Sequence, residues 1–108
     1  MAKKTEYKLK EVKALAWKAL NGEDSVLIRG NALDRASDDF GFDTNDILNT
    51  LKNLSGNHFN KRMSSEKVPG VMLDVYKTCH LGEEIYTHFY IRKSGGKDIL
   101  VINSFHEP

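Results

Sequence analysis

Aromatic, imidazole and cationic side chains alternate near the C-terminal end of the chain. Tyr86, His88, Tyr90 and Arg92 occupy every second position. Successive side chains of a β-strand point to opposite faces, so in a strand these four side chains would share one face. Together they provide proton donors and acceptors, a positive charge and flat rings. Acid–base chemistry on an anionic substrate requires such groups.

Residues from other runs could join this polar face. His106 follows the last apolar run, and an earlier run offers Lys61 or Arg62. In a regular strand Phe59, Lys61 and Met63 would share one side, which would set Lys61 between two apolar residues. A buried, unpaired ammonium is costly. Either this strand is twisted and half exposed, or Lys61 is placed there for a function.

RNA cleavage would use this set of groups. It needs a base for the 2′-hydroxyl, an acid for the leaving 5′-oxygen and cations for the charged phosphorane. Aromatic rings can also stack on unpaired bases. The residues alone leave two other interpretations open: a solvated sheet face, and a surface that binds another protein.

Motifs for metals and nucleotides are incomplete. Cys79 is the single cysteine, and the four histidines lack the spacing of a zinc site. Gly95-Gly96-Lys97 lacks the full spacing of a phosphate-binding loop, and no helical pattern follows it. We therefore expect neither a metal nor a cofactor. A cysteine nucleophile paired with a histidine stays open, although no local signature supports it.

Three apolar-rich runs occupy the C-terminal third, and Tyr86, His88, Tyr90 and Arg92 lie in the second of them. Branched and aromatic residues alternate in each run, and glycines separate the runs, which predicts antiparallel strands joined by hairpins. The runs are Val71–Leu81, Glu84–Arg92 and Asp98–Phe105.

The register of the last hairpin depends on its loop. A three-residue loop, Ser94-Gly95-Gly96, would pair Arg92 with Asp98, and this is the register that we favour. A two-residue loop, Gly95-Gly96, would shift the pairing by one position and scatter the apolar residues. In the favoured register, one face forms a coherent core layer of Ile85, Phe89, Ile91, Ile99, Val101 and Phe105, and the other carries Tyr86, His88, Tyr90, Arg92, Ser104 and His106.

Short helices are predicted before these strands. Apolar residues recur at helical spacing over Leu9–Leu20, and two shorter helices follow, with Asn31 and Asp43 as their N-caps. Val26-Leu27-Ile28 could form an edge strand. The sequence therefore predicts an α+β fold, with an antiparallel sheet covered on one face by short N-terminal helices, in one domain over residues 1–108.

Composition and charge exclude several classes of protein. The 108 residues carry 16 basic and 15 acidic side chains, which is not the strongly basic balance of a domain that coats DNA. Residues 1–22 have six Lys and two Glu, whereas residues 23–46 have seven acids and two Arg, so the surface should have a positive and a negative side. We expect no membrane span and no secretory signal. Because a single cysteine cannot form an intrachain disulfide, we expect a protein of the reducing cytoplasm.

Several segments, in their order and spacing, resemble the MqsR family of toxins from bacterial type II toxin–antitoxin pairs. The resemblance covers nearly the whole chain. It implies a RelE-like fold, a sequence-selective endoribonuclease that cuts mRNA without a metal, and a cognate antitoxin with a helix-turn-helix domain. The segments are Asn31-Ala32-Leu33, Asp43–Leu54, His58–Met63, Leu73–Tyr76, Ile85-Tyr86 and Ile99–Phe105.

The resemblance also implies roles for single residues. The family's active-site lysine and tyrosine fall on Lys61 and Tyr86. Its glutamine falls on Leu73, which cannot hydrogen-bond, and its C-terminal lysine falls on His106, which is a better acid–base group near pH 7. We expect Lys61, Tyr86 and His106 to be catalytic. Arg62, Lys77 and His88 would bind RNA. The alternative is a catalytically inactive module that only binds a protein partner.

Overall fold

The computed structural model describes residues 4–108. These residues form three α-helices, α1 to α3, a short 3-10 helix and five strands, β1 to β5. The helices span Leu9–Leu20, Gly30–Phe40 and Thr44–Lys52, and the 3-10 helix spans Gly56–His58. The strands span Val26–Ile28, Phe59–Ser64, Met72–His80, Glu83–Ser94 and Lys97–His106.

The strands form one sheet in the order β1-β5-β4-β3-β2. Strands β2 to β5 pair antiparallel, and β1 pairs parallel with β5 at one edge. The predicted α+β fold is confirmed, with helices that precede the sheet. The sheet is mixed rather than wholly antiparallel, because the edge strand β1 runs alongside β5. No helix within residues 4–108 is long and apolar enough to cross a membrane.

Local signals explain where the helices begin and end. The side chain of Asp43 caps α3 by accepting from the backbone N–H of Asp46. The side chain of Asp46 accepts in return from the backbone N–H of Asp43. Helix α2 ends at Gly41, whose φ of 72° is the left-handed conformation that glycine adopts without strain. The predicted N-cap of α2 is wrong. The helix begins at Gly30, so Asn31 lies in its first turn and donates instead to the carbonyl of Asn103.

The main core lies between the helices and one face of the sheet. Val12 and Ala16 of α1 and Leu51 of α3 are fully buried there against Phe89 and Ile102 of the sheet. Burying one such large side chain stabilises the fold by about 1.5–3 kcal/mol. The opposite face of the sheet, which we call the open face, has a small apolar cluster of its own: Leu73, Tyr90, Ile99 and Val101.

The last hairpin has the register that we did not favour. Ser94 pairs with Lys97, so the loop is Gly95-Gly96. Both glycines have positive φ, 59° and 82°, as a tight two-residue hairpin turn requires. Ile99 and Val101 therefore lie on the open face, and their predicted place in the main core is wrong.

A β-bulge in β5 limits the scattering expected of this register. Ile102 pairs with Phe89 and Ser104 pairs with His88, which leaves Asn103 as an extra residue. The bulge resets the alternation of side chains. Phe105 therefore returns to the main core together with Ile102.

Candidate active site

Five of the six predicted site residues lie on the open face, in two neighbouring cross-strand rows. Residues directly opposite each other in such rows have Cα atoms about 4.5–5.5 Å apart, and the rows are about 7 Å apart. One row is Lys77, Tyr86 and His106; the next row is Lys61, Val75, His88 and Ser104.

Tyr86 lies between the two histidines. Its ring stacks on His106 with ring centroids 5.2 Å apart and an interplanar angle of 25°. The ring of His88 meets it edge-on, at 5.9 Å and 84°. Three groups that can transfer protons are therefore held next to each other, His106 across the strands from Tyr86 and His88 two residues along β4.

His106 is held by its Nδ1 atom. Nδ1 is 2.7 Å from the carbonyl oxygen of Glu107, so this nitrogen carries the hydrogen and donates it. The neutral ring then has its lone pair on Nε2. A histidine with a carbonyl on Nδ1 can accept a proton at Nε2.

Asp39, near the end of α2, fixes the segment that holds His106. Its carboxylate accepts from the backbone N–H of Glu107 at 3.0 Å. This hydrogen bond, with smaller contributions from Arg35 and from His106, lowers the pKa of Asp39. No sequence pattern indicates this contact, since Asp39 and Glu107 are far apart in the chain.

His88 has the opposite hydrogen-bond arrangement. The Nδ2 atom of Asn103 lies 3.1 Å from Nδ1 of His88. An amide NH₂ can only donate, so Nδ1 accepts and the hydrogen of the neutral ring is on Nε2. Burial, and next the charge of His106, lower the pKa of His88 from 6.5 to about 4. His88 is therefore a neutral hydrogen-bond donor at pH 7.

A β-bulge also resolves the position of Lys61. The pairing of β2 shifts between Phe59 and Lys61, so Phe59 packs in the main core against Tyr76 while Lys61 pairs with Val75 on the open face. The expectation that Phe59 and Lys61 share one side is wrong. Lys61 and Lys77 are both exposed. The open face thus has two cations beside its acid–base groups.

Arg62 does not lie with the other five residues. It pairs with Asp74, which belongs to the opposite face, and its Nη1 atom lies 3.2 Å from Glu6 in an ion pair. Asp74 is fully buried and accepts from the backbone N–H groups of Glu6 and Tyr7. The surroundings of Arg62 therefore indicate that it fixes the N-terminal segment.

The remaining histidines have structural contacts. His58 accepts from the backbone of Ser55 through Nδ1, and His80 lies against Phe42 and Asp46. Within residues 4–108, no group of three or more His, Cys, Asp or Glu side chains could hold a metal ion. Cys79 is exposed, and it lies opposite Glu84 in the pairing of β3 with β4.

Two residues on the open face were missed in the sequence. Arg29 donates through Nη2 to the hydroxyl of Tyr90 at 2.9 Å. Asn103 orients His88 from the β-bulge. The sequence feature that indicates the bulge is the pair of consecutive polar residues Asn103-Ser104 between the buried Ile102 and Phe105.

The fold is a small α+β domain whose mixed sheet is covered by helices on one face and carries acid–base and cationic groups on the open face. The family described as "Motility quorum-sensing regulator, toxin of MqsA" matches residues 4–107. The chain belongs to this MqsR toxin family, whose description names MqsA as the antitoxin partner. No curated protein matches the chain.

Proposed function

We propose that the protein is an endoribonuclease that cuts mRNA and thereby inhibits translation in the cytoplasm. The main observation that supports this proposal is the ring of Tyr86, which contacts two imidazoles, with Lys61 and Lys77 on the same open face. One imidazole can accept a proton, and the other is a neutral donor. The MqsR membership supports the same conclusion, because the family consists of toxins.

The proposed reaction begins at His106. Its Nε2 atom removes the proton of a ribose 2′-hydroxyl, and the 2′-oxygen attacks the neighbouring phosphorus. The bond from phosphorus to the 5′-oxygen of the next nucleotide then breaks, and the hydroxyl of Tyr86 gives that oxygen a proton. The products are a 2′,3′-cyclic phosphate and a 5′-hydroxyl end. Proton exchange with water restores His106 and Tyr86.

The charge that develops on the phosphorane would be stabilised by three donors. Lys61 and Lys77 supply ammonium groups, and His88 supplies Nε2–H. Two interstrand spacings and one two-residue step separate the Cα atoms of Lys61 and Tyr86 by about 12 Å, a gap that two long side chains can bridge to one phosphate. Neither a metal nor a cofactor is part of this mechanism.

Cut-site mapping tests the proposal. Purified protein is incubated with a long mRNA in excess EDTA, and the chemistry of the new ends is determined. We expect cleavage with 5′-hydroxyl ends, a rate about 10²- to 10⁴-fold lower for His106→Ala, and an unchanged rate for Lys10→Ala, on the exposed side of α1.

Two results would overturn it. Intact RNA with the folded wild-type protein would favour the alternative, a catalytically inactive module that binds a protein partner. Activity that disappears in EDTA and returns with a divalent ion would show that the mechanism needs a metal.

We also propose that the antitoxin has a helix-turn-helix DNA-binding domain, as the family resemblance implies. Support would come from a helix-turn-helix gene next to the toxin gene whose product copurifies with this chain and suppresses RNA cleavage. A neighbouring antitoxin without such a domain would refute the proposal.

A further inference from the structure

A cavity of about 280 Å³ adjoins the two rows of the candidate site. It lies on the open face where β2, β3, β4 and β5 run side by side. Met63 and Leu73, a cross-strand pair, supply its apolar surface. Its polar surface comes from His88 and from the bulge residues Asn103 and Ser104.

Two segments outside the central strands also line the cavity. One is the first turn of α2, at Asn31, and the other is the loop of residues 65–67 after β2. Asn31 donates through Nδ2 to the backbone carbonyl of Asn103 at 3.1 Å. This contact attaches the start of α2 to the β-bulge and fixes the polar wall.

The polar wall offers both kinds of hydrogen-bonding group. Asn103 uses its Nδ2 atom toward His88, so its amide oxygen is the group that can accept from a ligand. The hydroxyl of Ser104 can donate or accept. A flat ring would find apolar contact at Met63 and Leu73 and hydrogen bonds along its edge, which is how proteins recognise an unstacked nucleobase.

The size and position of the cavity restrict its occupant. The cavity is smaller than the roughly 300–1,000 Å³ of sites for drug-sized ligands, so it suits one small ring system. His88 belongs both to the cavity and to the row that contains Lys61. A ring bound there would therefore belong to a nucleotide that flanks the phosphate at Lys61 and Tyr86.

We propose that this cavity binds one unpaired nucleobase next to the scissile phosphate and sets the sequence preference of cleavage. The inference rests on the proposed endoribonuclease activity. Asn31, Asn103 and Ser104 would read the edge of the base, and Leu73 would contact its face. Sequence preference would thus depend on the bulge of β5 and the first turn of α2.

An abasic scan of an uncleavable oligonucleotide tests the cavity. The oligonucleotide carries a 2′-deoxy nucleotide at a mapped cut site, and each flanking base is removed in turn. With the wild-type protein, loss of one particular base should weaken binding by roughly 5- to 150-fold, the usual weight of one stacked base. With Ser104→Phe, which fills the cavity, the same loss should have at most a twofold effect.

Asn31→Ala tests the base preference of cleavage with a change at an exposed position. Asn45→Ala, at an exposed position on α3, is the matched control. Cut-site maps should show a relaxed base preference for Asn31→Ala and an unchanged preference for Asn45→Ala. Wild-type preference in both Asn31→Ala and Ser104→Phe would overturn the base site while leaving the endoribonuclease proposal intact. Absence of cleavage by the wild-type protein would instead refute the endoribonuclease proposal itself.

Discussion

The two histidines beside Tyr86 differ in which ring nitrogen carries the hydrogen, because each has a different hydrogen-bond partner at Nδ1. A carbonyl oxygen at Nδ1 of His106 leaves the Nε2 lone pair available, whereas an amide NH₂ at Nδ1 of His88 leaves Nε2–H. Identical side chains thus receive different proton roles from their neighbours. This assignment makes His106 the expected base and His88 a neutral donor.

Lys61 and Tyr86 should act as one unit. If both contact the same phosphate, Lys61→Ala and Tyr86→Phe should each lower the cleavage rate at least tenfold, and the double variant should be far less than multiplicatively worse. Thermal stability should change little, because neither change removes core volume. Single-turnover rates and melting temperatures check this. Single variants that cleave at the wild-type rate but melt earlier would show that these side chains only pack.

His88 should make stability depend on pH. Its pKa is about 4 in the folded protein and about 6.5 when unfolded, so the unfolded chain binds more protons between these values. The free energy of unfolding should be constant above pH 6.5 and fall as the pH drops toward 4. Because the ring is partly solvated, the loss should be on the order of 1–2 kcal/mol.

Denaturant titrations at several pH values would measure this loss. His88→Gln cannot titrate, so the part of the pH dependence that belongs to His88 should disappear in this variant. An identical decline in the variant and in the wild-type protein would assign the acid sensitivity to other groups.

At the level of the elements, β5 shows what the sequence could and could not predict. The alternating pattern correctly predicted β4 and β5 as strands, and it placed Tyr86 and His88 of β4 on one face with His106 of β5. The uninterrupted apolar run Ile99–Ile102, however, belongs to a strand that is buried on both faces. The pattern therefore places Ile99 and Val101 in the main core, because it does not reveal the second apolar cluster on the open face.

The bulges set the other limit on prediction. Each inserts one residue, so it reverses the alternation on which sequence-based face assignments depend. The position of Lys61 relative to Phe59 and that of Ser104 relative to Ile102 both follow from bulges. Contacts between distant segments, such as Asn103 with Asn31, have no periodicity and could not be predicted from it.

The contact between α2 and the end of β5 should support catalysis through His106. Asp39→Ala removes the acceptor for the Glu107 N–H and frees the segment that orients the imidazole. We expect kcat to fall on the order of tenfold with little change in KM, because a misplaced base weakens the chemical step more than binding. Asp39→Asn keeps an acceptor oxygen and should recover most of the rate. Equal losses in both variants would contradict a positioning role.

Across the whole molecule, the sheet separates two surfaces. The helices cover one face and carry most of the acids of residues 23–46, largely at helix ends and exposed positions. The open face carries Lys61, Lys77 and Arg92, and Glu84 is an acid on the same face. A modest net charge of +1 therefore conceals an uneven distribution. Anionic RNA should be attracted to the open face even though the whole chain is nearly neutral.

This distribution gives a salt-dependence test with an internal control. Binding of single-stranded RNA should weaken as salt increases, and each phosphate contact adds about 0.7 to the slope of log K against log salt concentration. Lys61→Ala should reduce the slope by roughly that amount. Lys10→Ala removes the same charge from the exposed side of α1 and should leave the slope unchanged. Equal reductions in the two variants would mean that RNA responds to net charge rather than to the open face, and the site proposed there would be wrong.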